Sequence, residues 1–332
     1  MTGPIRFRRR ALLTAASLAF AASAFGQIAS TGSQAGFPTH PIRLLVGYPA
    51  GGGVDAMARL LAPRLSAQLG QQVIVDNRAG ASGSIAADYV AKAAPDGYTL
   101  FLGDSATLVA QYMQAELPFD PIRSFTPVAA VFSMPLVIVT SNDFPARTPS
   151  EFVAELKANP GKYSFGTSGV GTVQHLGFEM MKARTGAYVV HIPYRGAAQI
   201  VPDVISGQVP IGVVSATAAM AQAKAGKLKA VAIMSPVKLV GADGLQSLST
   251  ALPGFDAAPR LFLLAPAGLP PPVAERLAEA VRVVMAAPDL WPAAAAQGAV
   301  PAFVAASALA ASLAEESARW GEVIRSQRIS AE

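Results

Sequence analysis

Two stretches of the chain hold the residue types that bind small anions. Ala50-Gly51-Gly52-Gly53 follows a β-rich run at residues 42–48. It precedes Met57, Leu60, Leu61, Leu65 and Leu69, which recur at helical spacing and stop at Gly70. Gly166-Thr167-Ser168-Gly169-Val170-Gly171-Thr172 sits in the same way between a short strand at 163–165 and a helix at 173–184, and it adds hydroxyl donors. Glycine lets backbone N–H groups come close to a ligand, and the helix that follows carries partial positive charge at its start. A strand, a Gly-rich loop and a helix in that order therefore favour a carboxylate or a phosphate. Either loop alone reads equally well as a tight turn. Two at matching positions of two repeated blocks make the stronger case for binding.

Other chemistries find less support. Gly161-Lys162-Tyr163 and Gly226-Lys227-Leu228 do not complete a phosphate loop, because no Ser or Thr follows the Lys. No dinucleotide fingerprint follows the first strand. Residues 166–170 miss the G-x-S-x-G nucleophile elbow, since glycine falls one place early. Ser168 with His175, about one helical turn after the loop, is a conceivable nucleophile and base, but acids are sparse nearby, and His175 reads better as a polar wall or helix-surface residue. His191, in an apolar strand, reads as a satisfied core histidine. No carboxylate pair suggests glycosidase chemistry. The absence of cysteine removes thiol nucleophiles, disulfides and thiolate metal sites, and the histidines (His40, His175, His191) lack metal-ligand spacing, so neither metal nor cofactor is expected.

The elements that must position these loops follow from composition and periodicity. The chain has 332 residues, 52% apolar and 14% charged, which is globular and long enough for two domains. Its formal charge of +5 is misleading. Arg6, Arg8, Arg9 and Arg10 crowd the start, and without them 22 basic residues face 21 acidic ones. The basicity thus belongs to a targeting segment and not to a nucleic-acid surface. Residues 1–26 read as a cleaved secretory signal: a basic start, an apolar run at 11–25 shorter than the roughly 20 residues of a membrane span, and small residues before Gln27. Arg9-Arg10-Ala11-Leu12-Leu13 also fits a twin-arginine signal. The expected location is the bacterial periplasm.

Residues 27–37 are small and polar, a flexible lead-in. Beyond them strands and helices alternate, with strands at 42–48, 73–75 and 98–102 and a helix at 84–93. Pro63 should kink or shorten the first helix. A second block repeats the logic, with strands at 163–165, 188–192, 209–214 and 228–233 and part of a helix at 200–205. The tail has a strand at 261–265 and helices at 271–286 and 304–325. Such βα units imply a largely parallel sheet in each of two lobes. Candidate links are residues 128–139 and 254–264. They divide the chain into a first lobe (38–135), a second lobe (136–258) and a return to the first (259–332). A clamshell of this kind binds ligands where the strand ends of both lobes face the cleft.

The order and number of several short motifs resemble one family, the Bug proteins, which are periplasmic solute-binding proteins of tripartite tricarboxylate transporters. Pro41-Ile42-Arg43 leads into Tyr48-Pro49-Ala50-Gly51-Gly52-Gly53-Val54-Asp55. Asp76-Asn77-Arg78-Ala79-Gly80-Ala81-Ser82-Gly83, Ala94-Pro95-Asp96-Gly97-Tyr98, Leu117-Pro118-Phe119-Asp120-Pro121 and the 166–172 loop follow. His191-Ile192-Pro193-Tyr194-Arg195-Gly196, Gly207-Gln208-Val209 and Ala265-Pro266-Ala267-Gly268 complete the series. The resemblance implies an α/β, two-lobe type II periplasmic-binding-protein (Venus-flytrap) fold with an interlobe cleft, a carboxylated ligand and no catalysis. It carries ligand contacts onto Ala50, Gly51, Gly52, Ser105, Thr167, Ser168, Gly171, Thr172 and Tyr194, and Tyr48, Gly53 and His175 join them as candidate binding residues. Three departures bear on the ligand. Val54 replaces a residue that is often hydroxylated. Val214-Ser215 stands where an Asp-Asn pair is common, which argues against amino-acid ligands while leaving Ser215 facing the cleft. Arg260 stands near a usual aromatic, where it would either fork onto a carboxylate or lie on the surface.

The leading expectation is an extracytoplasmic binding protein. It would be a monomer with a small organic acid as ligand and transporter membrane subunits as transient partners. A sensor that engages a kinase would use the same clamshell, and a Ser168/His175 hydrolase is the third reading.

Overall fold

The computed structural model describes residues 36–194 and 199–330. The chain divides into two units, Met1–Phe37 and Pro38–Glu332, and every element below belongs to the second. The expected export signal (1–26) and nearly all of the lead-in (27–37) lie outside the described residues, as do Arg195 and Gly196.

Two sheets carry the fold. The first holds β1 (Ile42–Val46), β2 (Val73–Asn77), β3 (Thr99–Asp104), β4 (Phe125–Ser133), β10 (Arg260–Pro266) and β11 (Val300–Ala305), in the order β11-β4-β10-β3-β1-β2. The second holds β5 (Leu136–Thr140), β6 (Ser164–Thr167), β7 (Val190–Pro193), β8 (Ile211–Ser215) and β9 (Lys229–Ile233), in the order β7-β6-β8-β5-β9. The helices are α1 (Gly53–Leu69), α2 (Ser84–Ala91), α3 (Ser105–Met113), α4 (Pro149–Ala158), α5 (Val173–Thr185), α6 (Ile200–Ser206), α7 (Ala216–Lys224), α8 (Pro271–Met285), α9 (Leu290–Ala296) and α10 (Ala306–Ser326). Among the described residues no helix is long and apolar enough to cross a membrane.

Both sheets are mixed, which corrects the expectation of largely parallel ones. β1 pairs parallel with β2 and β3, and β6 with β7 and β8, as helical crossovers demand. β10 runs antiparallel to β3 and β4, and β5 antiparallel to β8 and β9. The cause is the route of the chain. It passes directly from β4 to β5 and returns from the second sheet into β10. A strand entered straight from the other sheet starts at the facing end and runs against its neighbours. The two passages lie side by side, and the Met134 N–H donates to the Pro259 carbonyl at 2.8 Å.

The segment read as a link, 128–139, is therefore mostly strand. Its apolar run fits burial on both faces. Val137 and Val139 enter a core with Ile200, Val204 and Val214, while Ile138 enters one with Phe165, Phe178 and Ile211. Pro63 does not break α1, because it lies on the exposed side, where the carbonyl left without a partner meets water. The tail helix starts at Ala306, and the residues before it form edge strand β11. That helix, α10, serves both cores. Leu309 and Leu313 pack with Phe101 and Phe262 of the first sheet, and Trp320, Val323 and Ile324 pack with Phe165 and Phe178 of the second.

Candidate ligand-binding cleft

Four helix starts open on one cavity of about 680 Å³. Its wall includes Gly52 and Gly53 at α1, Asp104 and Ala106 at α3, Thr172 and Val173 at α5, and Ser215 and Thr217 at α7. Met134, Pro135, Leu136, Pro259 and Leu261, from the two passages between the sheets, give it an apolar side.

The first Gly-rich loop is held from beneath. Gly51 is left-handed (φ 85°), a conformation that disfavours any side chain. Its N–H donates to the Asp55 carboxylate at 2.8 Å, and Asp55 also accepts from Arg59 Nε and Asn77 Nδ2, each at 2.9 Å. Asp55 is buried, which alone would raise its pKa. The bonds from Arg59, Gly51 and Asn77 outweigh burial and bring it below the usual carboxylate range. No side chain caps α1, so its first-turn amides face the cleft without a built-in acceptor.

The second loop is bonded within itself. Thr172 Oγ1 donates to the Gly169 carbonyl at 2.8 Å and accepts from the His175 N–H at 3.3 Å, capping α5. The Ser168 N–H donates to Gln174 Oε1 at 2.9 Å, and the Ser168 hydroxyl donates to the same oxygen. Gly171, also left-handed (φ 75°), abuts Met113 of α3 so closely that a Cβ there would lie 2.8 Å from the Met113 methyl. The second loop thus meets α3 at the cavity.

The residues singled out from sequence divide into two sets. Tyr48, Gly51, Gly52, Gly53, Ser168, Gly171, Thr172 and Ser215 line the cavity. Ala50 is exposed beside it. The other five hold the scaffold. Buried Thr167 bonds His191 Nε2 at 2.7 Å, and His175 accepts the Gly171 N–H on Nδ1 at 3.2 Å. His175 Nε2 lies 3.6 Å from Glu179, so the Ser168–His175 pair of the hydrolase reading is not formed. His191 is half-buried on an exposed edge strand and not in the core. Burial and the neighbouring His175 lower its pKa to about 3. Tyr194 packs its ring under Gly166 and donates to Asp203 at 2.6 Å; burial and that bond raise its pKa to about 12.

Arg260 and Ser105 belong to a network around buried Glu316. Arg260 forks onto the Glu316 carboxylate through Nε (2.6 Å) and Nη2, and Nη1 reaches Ser312 Oγ at 2.8 Å. Ser105 donates to Glu316 Oε1 at 2.5 Å, and Trp320 Nε1 donates to the same oxygen at 3.3 Å. The fork expected for a ligand carboxylate is thus occupied by the protein's own, because Glu316 on α10 lies beside the start of β10.

Sequence reasoning missed Asp104, Ser82, Gln114 and Gln174 on the wall. Asp104 carried a readable signal. It ends β3 and caps α3, and ligands of α/β sheets gather at such strand ends. Its Oδ2 accepts from Tyr48 Oη at 2.7 Å, and Oδ1 accepts from the Ala106 N–H at 3.2 Å. Burial raises its pKa to about 6 against these bonds, and the Glu316 charge adds to the rise. Burial likewise pushes the Tyr48 phenol well above its ordinary value. Among the described lining residues Asp104 is the sole carboxylate, and they include no Arg, Lys or His. The described wall therefore presents amides, hydroxyls and helix starts, with one carboxylate among them.

Comparisons with known proteins identify the family. The tripartite tricarboxylate transporter family receptor profile matches residues 57–329. Protein BugT of Bordetella pertussis is 34% identical over 292 residues, covering 87% of this chain and 90% of BugT. A Rhodopseudomonas palustris protein solved with adipate superposes at a TM-score of 0.75 with 28% identity, over 88% of this chain and 99% of that one. MatC of the same species, solved with bound malate, gives 0.70 and 28% over 87% of this chain and 100% of MatC. The chain belongs to the tripartite tricarboxylate transporter family of receptors, which are solute-binding proteins.

Proposed function

We propose that the chain is an exported receptor that captures a small carboxylated metabolite in the cleft and delivers it to the membrane subunits of a tripartite tricarboxylate-type transporter. The observation that carries this reading is the uncapped start of α1 facing the hydroxyl-lined loop at α5 across one cavity. Carboxylates suit such a place, since the first-turn amides lack other acceptors. Relatives solved with malate and adipate support the ligand class. The basic and apolar start of the sequence supports export to the periplasm.

One lobe comprises residues 38–135 and 259–332, the other 136–258. They swing about the paired passages at Met134 and Pro259, and a ligand that bridges them selects the closed form. The receptor acts as a monomer, without cofactor or metal, and performs no catalysis. Ser168 has Gln174 and no base as its partner, so nothing on the wall activates it.

The test is a thermal-melt screen of residues 27–332 against small organic acids, after unfolding and refolding to strip any bound ligand. An acid at a hundred times its Kd adds about 2.7 kcal/mol, a readable rise in Tm. Loss of the shift on Thr172→Ala supports the cleft. No shift with any acid overturns the reading.

A further inference from the structure

A second cavity, of about 850 Å³, lies beside the ligand cleft. One wall is α7 and the loop after β9, with Met220, Lys224, Lys238 and Val240. The other is α9 and the edge strand that follows it, with Trp291 and Pro301. Thr217, Ala296 and Gly298 line both cavities. Gly298 is left-handed (φ 74°), and a Cβ there would lie 2.7 Å from the Thr217 methyl, so glycine alone lets the two walls come this close. The cleft and the groove thus lie on opposite sides of one tight contact.

The groove has its own chemistry. Trp291 and Val240 are 54% and 84% exposed, large apolar side chains left to water on opposite walls. Met220, Leu239 and Ala295 add to the apolar surface. Apolar concavities of about 300–1,000 Å³ are those in which proteins hold small molecules. The charged residues of the described lining are Lys224 and Lys238, both positive. The Lys224 amine would lie 3.4 Å from a Cβ on Gly241, which sets it over the same loop that carries Lys238. Neither lysine forms an ion pair among the described residues. The acids nearest in sequence are engaged elsewhere. Asp289, at the start of α9, is bound to Arg64, and Asp243 lines another pocket with Arg147 and Lys229. Outside the described residues the sequence holds one further acid, Glu332.

We propose that this groove is a second binding site, for an apolar monoanion whose aromatic or aliphatic body lies against Trp291 and Met220 and whose carboxylate meets Lys224 and Lys238. Exposed ion pairs are individually weak, so removal of apolar surface from water supplies most of the affinity and the two lysines select the sign of the charge. One anionic group suffices, because both cations belong to the same wall. The site goes beyond the receptor reading and does not depend on which acid the cleft holds.

The probes are octanoate and 4-phenylbutyrate, set against octanol and octylamine. Calorimetry on refolded protein gives affinity, and tryptophan emission gives place. The chain has two tryptophans, of which Trp320 is buried in the core and Trp291 is exposed in the groove. The expected result is saturable binding of both acids, tighter than that of the alcohol or the amine, with a change in emission that Trp291→Phe abolishes. Lys224→Gln combined with Lys238→Gln should weaken the acids about tenfold, the worth of two surface ion pairs together, and leave octanol unchanged. The ranking of acid, alcohol and amine on unaltered protein stands even if the double variant folds poorly. Absence of saturable binding by either acid overturns the inference. So does octanol or octylamine binding as tightly, an emission change that survives Trp291→Phe, or acid binding that the double variant leaves at full strength. The receptor reading is decided separately, by the melts with small organic acids and Thr172→Ala.

Discussion

Asp55 and Asp104 occupy parallel places and meet opposite fates. Each follows a central strand of the first sheet and sits at the start of a helix, Asp55 in the first turn of α1 and Asp104 as the cap of α3. Each accepts a backbone N–H. Asp55 also has the Arg59 guanidinium and the Asn77 amide, and its carboxyl is held below the ordinary range. Asp104 has a phenol and no cation, and burial leaves it at about 6. The difference separates structure from selection. A carboxylate whose charge is matched within the protein fixes a loop. One whose charge is left unmatched on a cavity wall can act on a ligand. Glu316 extends the first class, because Arg260, Ser105 and Trp320 all serve it.

The largest effect should come from breaking a matched carboxylate. Glu316→Gln leaves Arg260 with no anionic partner against the core, and removing one partner of a buried pair costs about 3 kcal/mol or more. Urea unfolding measures this, and the ranking of ligands should not move. A loss under about 1 kcal/mol would place Glu316 outside the matched class. Asp55→Ala comes next. It strands the Gly51 and Asn77 donors and should cost about 2 kcal/mol. Unlike Glu316→Gln it should also weaken every carboxylate ligand alike, because the α1 loop loses its support. Equal affinities before and after would detach the loop from the site.

The parts legible in the sequence are those set by local pattern. Strand, Gly-rich loop and helix at 42–69 and again at 163–184 can be read because periodicity and glycine report directly on backbone shape. The loop residues that line the cleft, such as Gly52 and Thr172, are local in the same sense. What could not be read depends on meetings across the chain. The antiparallel β5 and β10 arise from passages between sheets, which no local pattern encodes. Arg260 looked available for a ligand because Glu316 lies 56 residues away and reaches it only through α10. His175 and Tyr194 were the right residue types near the right loop, but they point inward to Gly171 and Asp203. Asp104 was overlooked although its place at a strand end is local, since a lone Asp before a helix reads as a cap, and it is one.

The contrast also fixes two opposite responses to pH. Asp104 has its folded pKa raised, so its contribution is fully present below the ordinary value. It is lost as pH climbs from about 4 to about 6, on the order of 3 kcal/mol in all. Asp55 has its folded pKa lowered, so its contribution is present above the ordinary value and lost as pH falls below it. Melts of ligand-free protein between pH 4 and 7.5 should show the Asp104 slope. Asp104→Asn should flatten it and melt no lower than the unaltered protein at pH 7.5. A slope that survives Asp104→Asn assigns that window to other groups.

The smallest and finest effect is that of Tyr48→Phe. The Tyr48 hydroxyl is the leading influence that opposes burial at Asp104. Its removal costs about 1 kcal/mol as a hydrogen bond, and it leaves the Asp104 anion with one donor fewer. The midpoint of the Asp104 titration should therefore rise above about 6. The carboxyl is then more often neutral near pH 7, so the stability that is lost as Asp104 ionises should be lost at higher pH than in the unaltered protein. A purely structural role for Tyr48 would lower Tm by the same amount at every pH and leave that window in place. Melts of Tyr48→Phe beside the unaltered protein across the same pH range separate the two, because only a shifted Asp104 moves the window in which Tm falls.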